Sequence, residues 1–100
     1  MLVRHADADL ERLEMDPAFT AGFGGAVVKA FRKRMQFIRE AVDERDFRAM
    51  KSLHFEKLQG GREHQHSMRL NDQWRLVIGL EGKAPEKVVV VVEIADYHRG

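Results

Sequence analysis

The sequence contains no cysteine, which excludes disulfide bonds, thiolate metal sites and cysteine nucleophiles. It also has no apolar run close to the roughly 18 residues that a membrane-spanning helix needs. The first residues lack the hydrophobic stretch of a signal peptide. We therefore expect a cytoplasmic protein that has no contact with a membrane.

An excess of charge of one sign is also missing overall, since the formal net charge is only +1. The charges are nevertheless unevenly placed: the first 16 residues are acidic, whereas residues 45–75 hold seven basic and four acidic side chains. A basic segment in a nearly neutral protein indicates a local site for a polyanion. With 100 residues, of which 44% are apolar, the chain has room for one domain and one core.

Residues 66–78 alternate apolar and polar side chains on both sides of a central Asn-Asp pair, which predicts two strands joined by a tight turn. A two-residue loop would mix charged and apolar groups on both faces. We predict a three-residue loop over 71–73, which separates the two kinds of side chain and places Arg69 opposite Arg75. Two opposed guanidinium groups repel each other unless an anion lies between them, and arginine is suited to phosphate.

The first half of the chain has helical patterns. Residues 1–4 predict an edge strand, and Asp7 or Asp9 can cap a short helix that ends at Asp16-Pro17.

A longer helix is predicted from residue 26 to about 43, followed by a further helical turn over 43–50 in which Phe47 and Met50 point inward. Residues 51–62 break the helical pattern and predict a loop. The inward stripe of the long helix comprises Val27, Phe31, Met35, Ile38 and Val42.

Residues 87–94 include five consecutive valines, which is typical of a strand buried on both faces at the centre of a sheet. Together these patterns predict a single α+β domain over residues 1–100. We expect the helices to cover one face of a small, mostly antiparallel sheet and the other face to be open. Arg69, Arg75 and Tyr97 are expected on that open face.

Three segments in the second half of the chain carry a resemblance to a known family. They are Leu58-Gln59-Gly60-Gly61-Arg62, Ser67-Met68-Arg69-Leu70-Asn71-Asp72-Gln73-Trp74-Arg75 and Val92-Glu93-Ile94-Ala95-Asp96-Tyr97-His98. In combination they resemble the HigB-type killer proteins of type II toxin–antitoxin modules, a branch of the RelE/ParE toxin superfamily. The resemblance implies a RelE-like fold and a ribosome-dependent endoribonuclease that cuts mRNA in the ribosomal A site. It also implies a helix-turn-helix antitoxin of the HigA type as partner.

Residue by residue, the resemblance assigns Arg75 to the scissile phosphate and matches Asp96, Tyr97 and His98 to the terminal triplet of the family. The residues also suit metal-free RNA cleavage, which needs a base for the ribose 2′-OH, cations for the phosphorane and an acid for the departing 5′-oxygen. Histidine exchanges protons near pH 7, and an aromatic ring can stack on an unpaired base. The candidates are His98 or His54 as the base, Arg75 with Arg69 as the phosphate clamp, Tyr97 on a phosphate or a base, and Lys57 or Arg62 on backbone phosphates.

No metal or other cofactor is expected. His64 and His66 share one face of a strand, as a metal pair would, but no carboxylate or cysteine stands at a suitable spacing.

Two other functions compete with the ribonuclease. One is a gyrase-inhibiting toxin of the ParE kind. The other is an inactive relic that only binds its antitoxin, which is suggested by Gln59 and Gly61, where many HigB-type proteins have lysine and aspartate.

Overall fold

The computed structural model describes residues 1–61, 64–83 and 85–96, and these form a five-stranded sheet with helices on one face. The strands run in the order β1-β5-β4-β3-β2, with β1 parallel to β5 and the other neighbours antiparallel. The predicted α+β class is confirmed. In chain order the elements are β1 (Leu2–His5), α1 (Ala8–Met15), α2 (Gly25–Glu40), α3 (Glu44–Ala49), a 3₁₀ helix (Lys51–Leu53), β2 (Glu56–Lys57), β3 (Gln65–Arg69), β4 (Trp74–Glu81) and β5 (Val88–Asp96).

The core lies between the helices and one face of the sheet, because the inward stripe of α2 packs on alternate residues of the strands. Burial of such side chains is the main favourable contribution to folding. The side chains that are wholly inaccessible to solvent include Leu13, Phe31, Met35, Ile38, Phe47, Leu53, Met68, Leu76 and Ile78.

The hairpin between β3 and β4 has the predicted register, with Arg69 opposite Arg75. The loop is three residues long, because the backbone N–H of Leu70 donates to the carbonyl of Trp74 over 2.9 Å. The side chain of Asn71 accepts hydrogen bonds from two backbone N–H groups of this turn, at 2.9 and 2.8 Å. An asparagine that bonds its own turn in this way fixes the loop without help from the core.

The start of the chain also has the predicted secondary structure. The strand predicted at residues 1–4 is β1, which lies at an edge of the sheet. The carboxylate of Asp7 caps α1 by accepting from the N–H of Asp9 over 2.7 Å, and Asp16 follows the helix.

The long helix ends earlier than predicted, and two side chains expected in the core are exposed. Helix α2 stops at Glu40, Val42 is 81% exposed and Met50 is 40% exposed. The break has a local cause, since Asp43 caps the next helix and the carboxylate of Asp46 accepts from the N–H of Val42 over 2.8 Å. Aspartate favours such helix starts over helix interiors.

Three further expectations need correction. The segment predicted as a loop over 51–62 contains a 3₁₀ helix and the short strand β2. The strand rich in valine is β5, but β4 occupies the middle of the sheet. The face that α1 and α2 do not cover is only partly open, because Val77 and Val90 are buried there outside the main core cluster.

None of the helices among the described residues is long and apolar enough to cross a membrane.

Candidate active site

A cleft of about 420 Å³ opens at the β2 edge of the sheet, on the face that α1 and α2 leave uncovered. It brings together the end of the 3₁₀ helix, β2 and the β3–β4 hairpin. The residues that line it are His54, Glu56, Arg69, Asn71, Asp72 and Arg75.

Arg75 is the most firmly held charged group of the cleft, and its side chain is only 12% exposed. Its Nε donates to the hydroxyl of Ser67 over 2.8 Å, and its Nη2 donates to the carbonyl oxygens of His54 and, over 3.3 Å, of Ser67. Ser67 is itself 1% exposed, so the anchor is buried. These neutral acceptors hold the guanidinium in place without removing its positive charge.

Glu56 is a member of the site that the sequence analysis did not identify. Its carboxylate lies 3.3 Å from Nη2 of Arg75, and its side chain is 65% exposed. The residue sits in a strand of two residues, which is too short to show an alternating pattern in the sequence. The cleft therefore contains a solvent-accessible carboxylate directly beside its anchored arginine.

The second arginine, Arg69, stands beside Arg75 across the hairpin. Because the N–H of the neighbouring Leu70 donates to the carbonyl of Trp74, the two arginines form a non-hydrogen-bonded pair, in which side chains approach most closely. Arg69 forms an ion pair with Asp72 at the tip of the hairpin, whose side chain is 92% exposed. Both guanidinium groups thus face carboxylates that a phosphate can displace, since exposed ion pairs are weak.

The other predicted residues are placed as follows. His54 lines the cleft, has an exposed side chain and adopts a left-handed backbone conformation with φ of 47°. Lys57 follows Glu56 in β2, so its side chain projects from the opposite face of the strand. Asp96 pairs with Trp74 at the end of β5, and its carboxylate accepts from Nε2 of Gln73 over 3.1 Å. Neither Lys57 nor Asp96 lines the cleft.

Three predicted site residues, Arg62, Tyr97 and His98, lie outside the described residues. Their proposed roles therefore remain predictions.

His66 has a packing role, as expected for a histidine without metal partners. Its ring stacks on Phe55 with centroids 4.8 Å apart and an angle of 1° between the planes. Burial lowers the pKa of His66, and the positive charges of Arg48 and Lys57 lower it further. In the described part of the chain, no group of three or more potential metal ligands comes together.

A larger cavity of about 890 Å³ lies beside β1, at the opposite edge of the sheet. Three of its cationic side chains are matched by carboxylates, which lowers the net positive charge that it offers to an anion. The pairs are Arg39 with Glu14 at 2.6 Å, Arg45 with Asp43 at 2.8 Å and Lys87 with Glu44 at 2.5 Å. The smaller cleft is the better candidate for an anion-binding site, because two arginines and a carboxylate converge on it.

Comparison with known proteins supports the fold. No protein-family model matches the sequence, and no curated protein matches it either. Among solved structures, the chain is similar to a YoeB/ParE toxin from Agrobacterium tumefaciens, with a TM-score of 0.59 and 17% sequence identity. The match covers 98% of this chain and 100% of the other. The chain therefore has the fold of a YoeB/ParE toxin.

Proposed function

We propose that this protein is the toxin of a type II toxin–antitoxin module and that it cleaves mRNA on the ribosome without a metal ion. The observation that carries the proposal is the pair of opposed arginines, Arg69 and Arg75, beside the carboxylate of Glu56 in an accessible cleft. The similarity in fold to a YoeB/ParE toxin supports it. A HigA-type helix-turn-helix antitoxin, the ribosome and a cytoplasmic location belong to the same proposal.

In this mechanism the cleft binds the scissile phosphate between the two guanidinium groups. Their charge stabilises the phosphorane better than the ground state, because negative charge increases on the phosphoryl oxygens during attack. The hydroxyl of Ser67 and the carbonyl of His54 hold Arg75 in place before the substrate arrives. No reorganisation of that side chain is then needed during the reaction.

Proton transfer requires a base and an acid within reach of the phosphate. In this scheme the carboxylate of Glu56 accepts the proton of the ribose 2′-OH, and the exposed imidazole of His54 lines the same cleft. The 2′-oxygen then forms a bond to phosphorus as the bond to the 5′-oxygen breaks. The departing oxygen takes a proton from an imidazolium, either His54 or the predicted His98. The products are a 2′,3′-cyclic phosphate and a free 5′-hydroxyl.

The ribosome has a physical role in this scheme. The cleft is small, and alignment of the 2′-oxygen with the scissile bond contributes a large part of the rate in such reactions. An mRNA held in the A site arrives already oriented. We therefore expect cleavage on ribosomes and little cleavage of free RNA.

Mapping of mRNA 5′ ends after induced expression tests the proposal. New ends inside translated codons are expected for the wild-type chain and for the control Arg45→Ala, which removes an 85%-exposed arginine away from the cleft. No new ends are expected for Arg75→Ala. Cleavage by Arg75→Ala at the wild-type level would remove the cleft from the mechanism.

A gyrase-inhibiting toxin is the second candidate, because the name of the structural neighbour includes ParE. Intact mRNA together with an induced DNA-damage response would favour it. Growth that is unaffected, in cells that accumulate the folded protein, would favour an inactive relic.

A further inference from the structure

One arginine, Arg34, lies at the edge of the inward stripe of helix α2 and is half-buried. Arg34 follows the buried Phe31 by three residues and precedes the buried Ile38 by four, which places all three on one helical face. An apolar side chain is expected at such a position. A charged residue where the helical pattern calls for an apolar one is a frequent sign of a functional site.

The contacts of Arg34 are unusual for a half-buried cation. Its Nη2 donates to the backbone carbonyl of Arg69 over 2.9 Å, and its Nε is buried with no hydrogen-bond partner among the described residues. Burial lowers the pKa of its guanidinium, and it forms no ion pair within the described part of the chain. Removing a charge from water without a carboxylate partner is costly. The presence of an arginine at this position therefore needs another explanation.

The backbone carbonyl of Arg69 explains why an arginine stands at position 34. The N–H of Leu70 bonds to β4, so the preceding carbonyl points away from β4 toward the β2 side of the sheet. Strand β2 reaches only as far as Glu56, which pairs with Ser67. The backbone of Arg69 therefore lies beyond the end of β2, and Arg34 supplies the donor that this short strand does not.

We propose that Arg34 is a positioning residue of the cleft, which fixes the backbone of Arg69 from the helix side. The side chain of Arg69 is thereby held beside Arg75 to bind a phosphodiester. This inference rests on the proposed function, because it assumes that the cleft binds RNA phosphates.

The test compares Arg34→Met, which has a similar length but no donor, with Arg34→Lys, which keeps a cationic donor. The matched control is Lys33→Met, which removes one charge from an exposed position of the same helix. The probe is a non-cleavable 2′-O-methyl RNA trinucleotide, whose dissociation constant is measured by NMR titration. Loss of one hydrogen bond that positions Arg69 predicts binding about fivefold weaker for Arg34→Met, with most of the affinity restored in Arg34→Lys.

A thermal melt and the ¹⁵N relaxation of the Arg69 Nε separate positioning from a purely structural role. The melting temperature of Arg34→Met is expected to be unchanged or higher, because a half-buried charge without a carboxylate partner among the described residues has been removed, while the side chain of Arg69 becomes more mobile. Wild-type affinity in Arg34→Met overturns the inference. A fall in both affinity and melting temperature that Arg34→Lys does not reverse also overturns it.

The proposed function has its own control in the same experiment. If Arg75→Ala binds the probe weakly while Arg34→Met binds it normally, only the positioning role is lost. If Arg75→Ala also binds it as the wild type does, the cleft is not the phosphate site and the proposed function fails as well.

Discussion

Replacing Glu56 with glutamine should change RNA binding and RNA cleavage in opposite directions. The carboxylate lies 3.3 Å from Arg75, and the two side chains are 65% and 12% exposed. An ion pair with one partner this accessible to water contributes about 0.5 kcal/mol. Its removal takes one competing carboxylate away from the guanidinium of Arg75 and should tighten RNA binding about twofold.

The same substitution removes the proposed proton acceptor. General base catalysis contributes roughly 100-fold to 10,000-fold to such reactions, so Glu56→Gln should cleave mRNA slower by a factor in that range. Single-turnover cleavage on programmed ribosomes measures the rate, and titration with 2′-O-methyl RNA measures the affinity.

The control is Glu81→Gln, which removes a comparably exposed carboxylate that pairs with Arg4 over 2.8 Å. It lies away from the cleft and should leave both quantities unchanged. Cleavage by Glu56→Gln at the wild-type rate would refute the assignment of Glu56 as the base, and the acceptor would then have to be a histidine.

Three further predictions concern the anchor, the pH dependence and the core. Ser67→Ala removes the acceptor for Nε of Arg75 and should weaken RNA binding about fivefold in the same titration; unchanged affinity would show that the hydroxyl does not hold the arginine. The folded state depresses the pKa of His66 from its ordinary value of 6.5, so the unfolded state binds the proton first and the free energy of unfolding should fall as the pH drops below 6.5. Denaturant melts at about pH 7.5 and about pH 5.5 should show a smaller fall in His66→Phe than in the wild type. An equal fall in the two proteins would assign the effect to other groups. Phe31→Ala should lower the free energy of unfolding by about 3 to 5 kcal/mol, because Phe31 is wholly buried, and a loss under about 1 kcal/mol would contradict its central place in the core.

The hairpin was the part of the fold that the sequence predicted best. Its alternating pattern excludes a two-residue loop, which would mix charged and apolar side chains, and the predicted three-residue loop places Arg69 opposite Arg75. Helix α1 was equally predictable from the sequence, since aspartate at its start and Asp16-Pro17 after it are strong local signals.

The end of α2 was not predictable from periodicity, because Val42 continues the apolar stripe in the sequence. The competing signal was Asp43, which prefers the start of a helix and caps α3, so that α2 does not continue along the apolar stripe. Strand β2 was missed because its pairing with β3 is a tertiary contact that two residues cannot encode.

Some residues of the candidate site were likewise predicted from the sequence and others were missed. Its arginines were found because they lie on long strands, whereas Glu56 was missed with the strand that carries it. Arg34 was overlooked because it lies at the edge of the apolar stripe and because its partner is a backbone carbonyl distant in the sequence.

Cleavage of a defined mRNA on purified ribosomes tests the central claim most directly. The claim is that the cleft around Arg75 is a site for metal-free RNA cleavage. With a single codon held in the A site and a chelator present, the wild-type protein should produce one cut with a 2′,3′-cyclic phosphate and a 5′-hydroxyl end, and Arg75→Ala should produce none. Intact mRNA with the folded wild-type protein, or the same cut with Arg75→Ala, would contradict it.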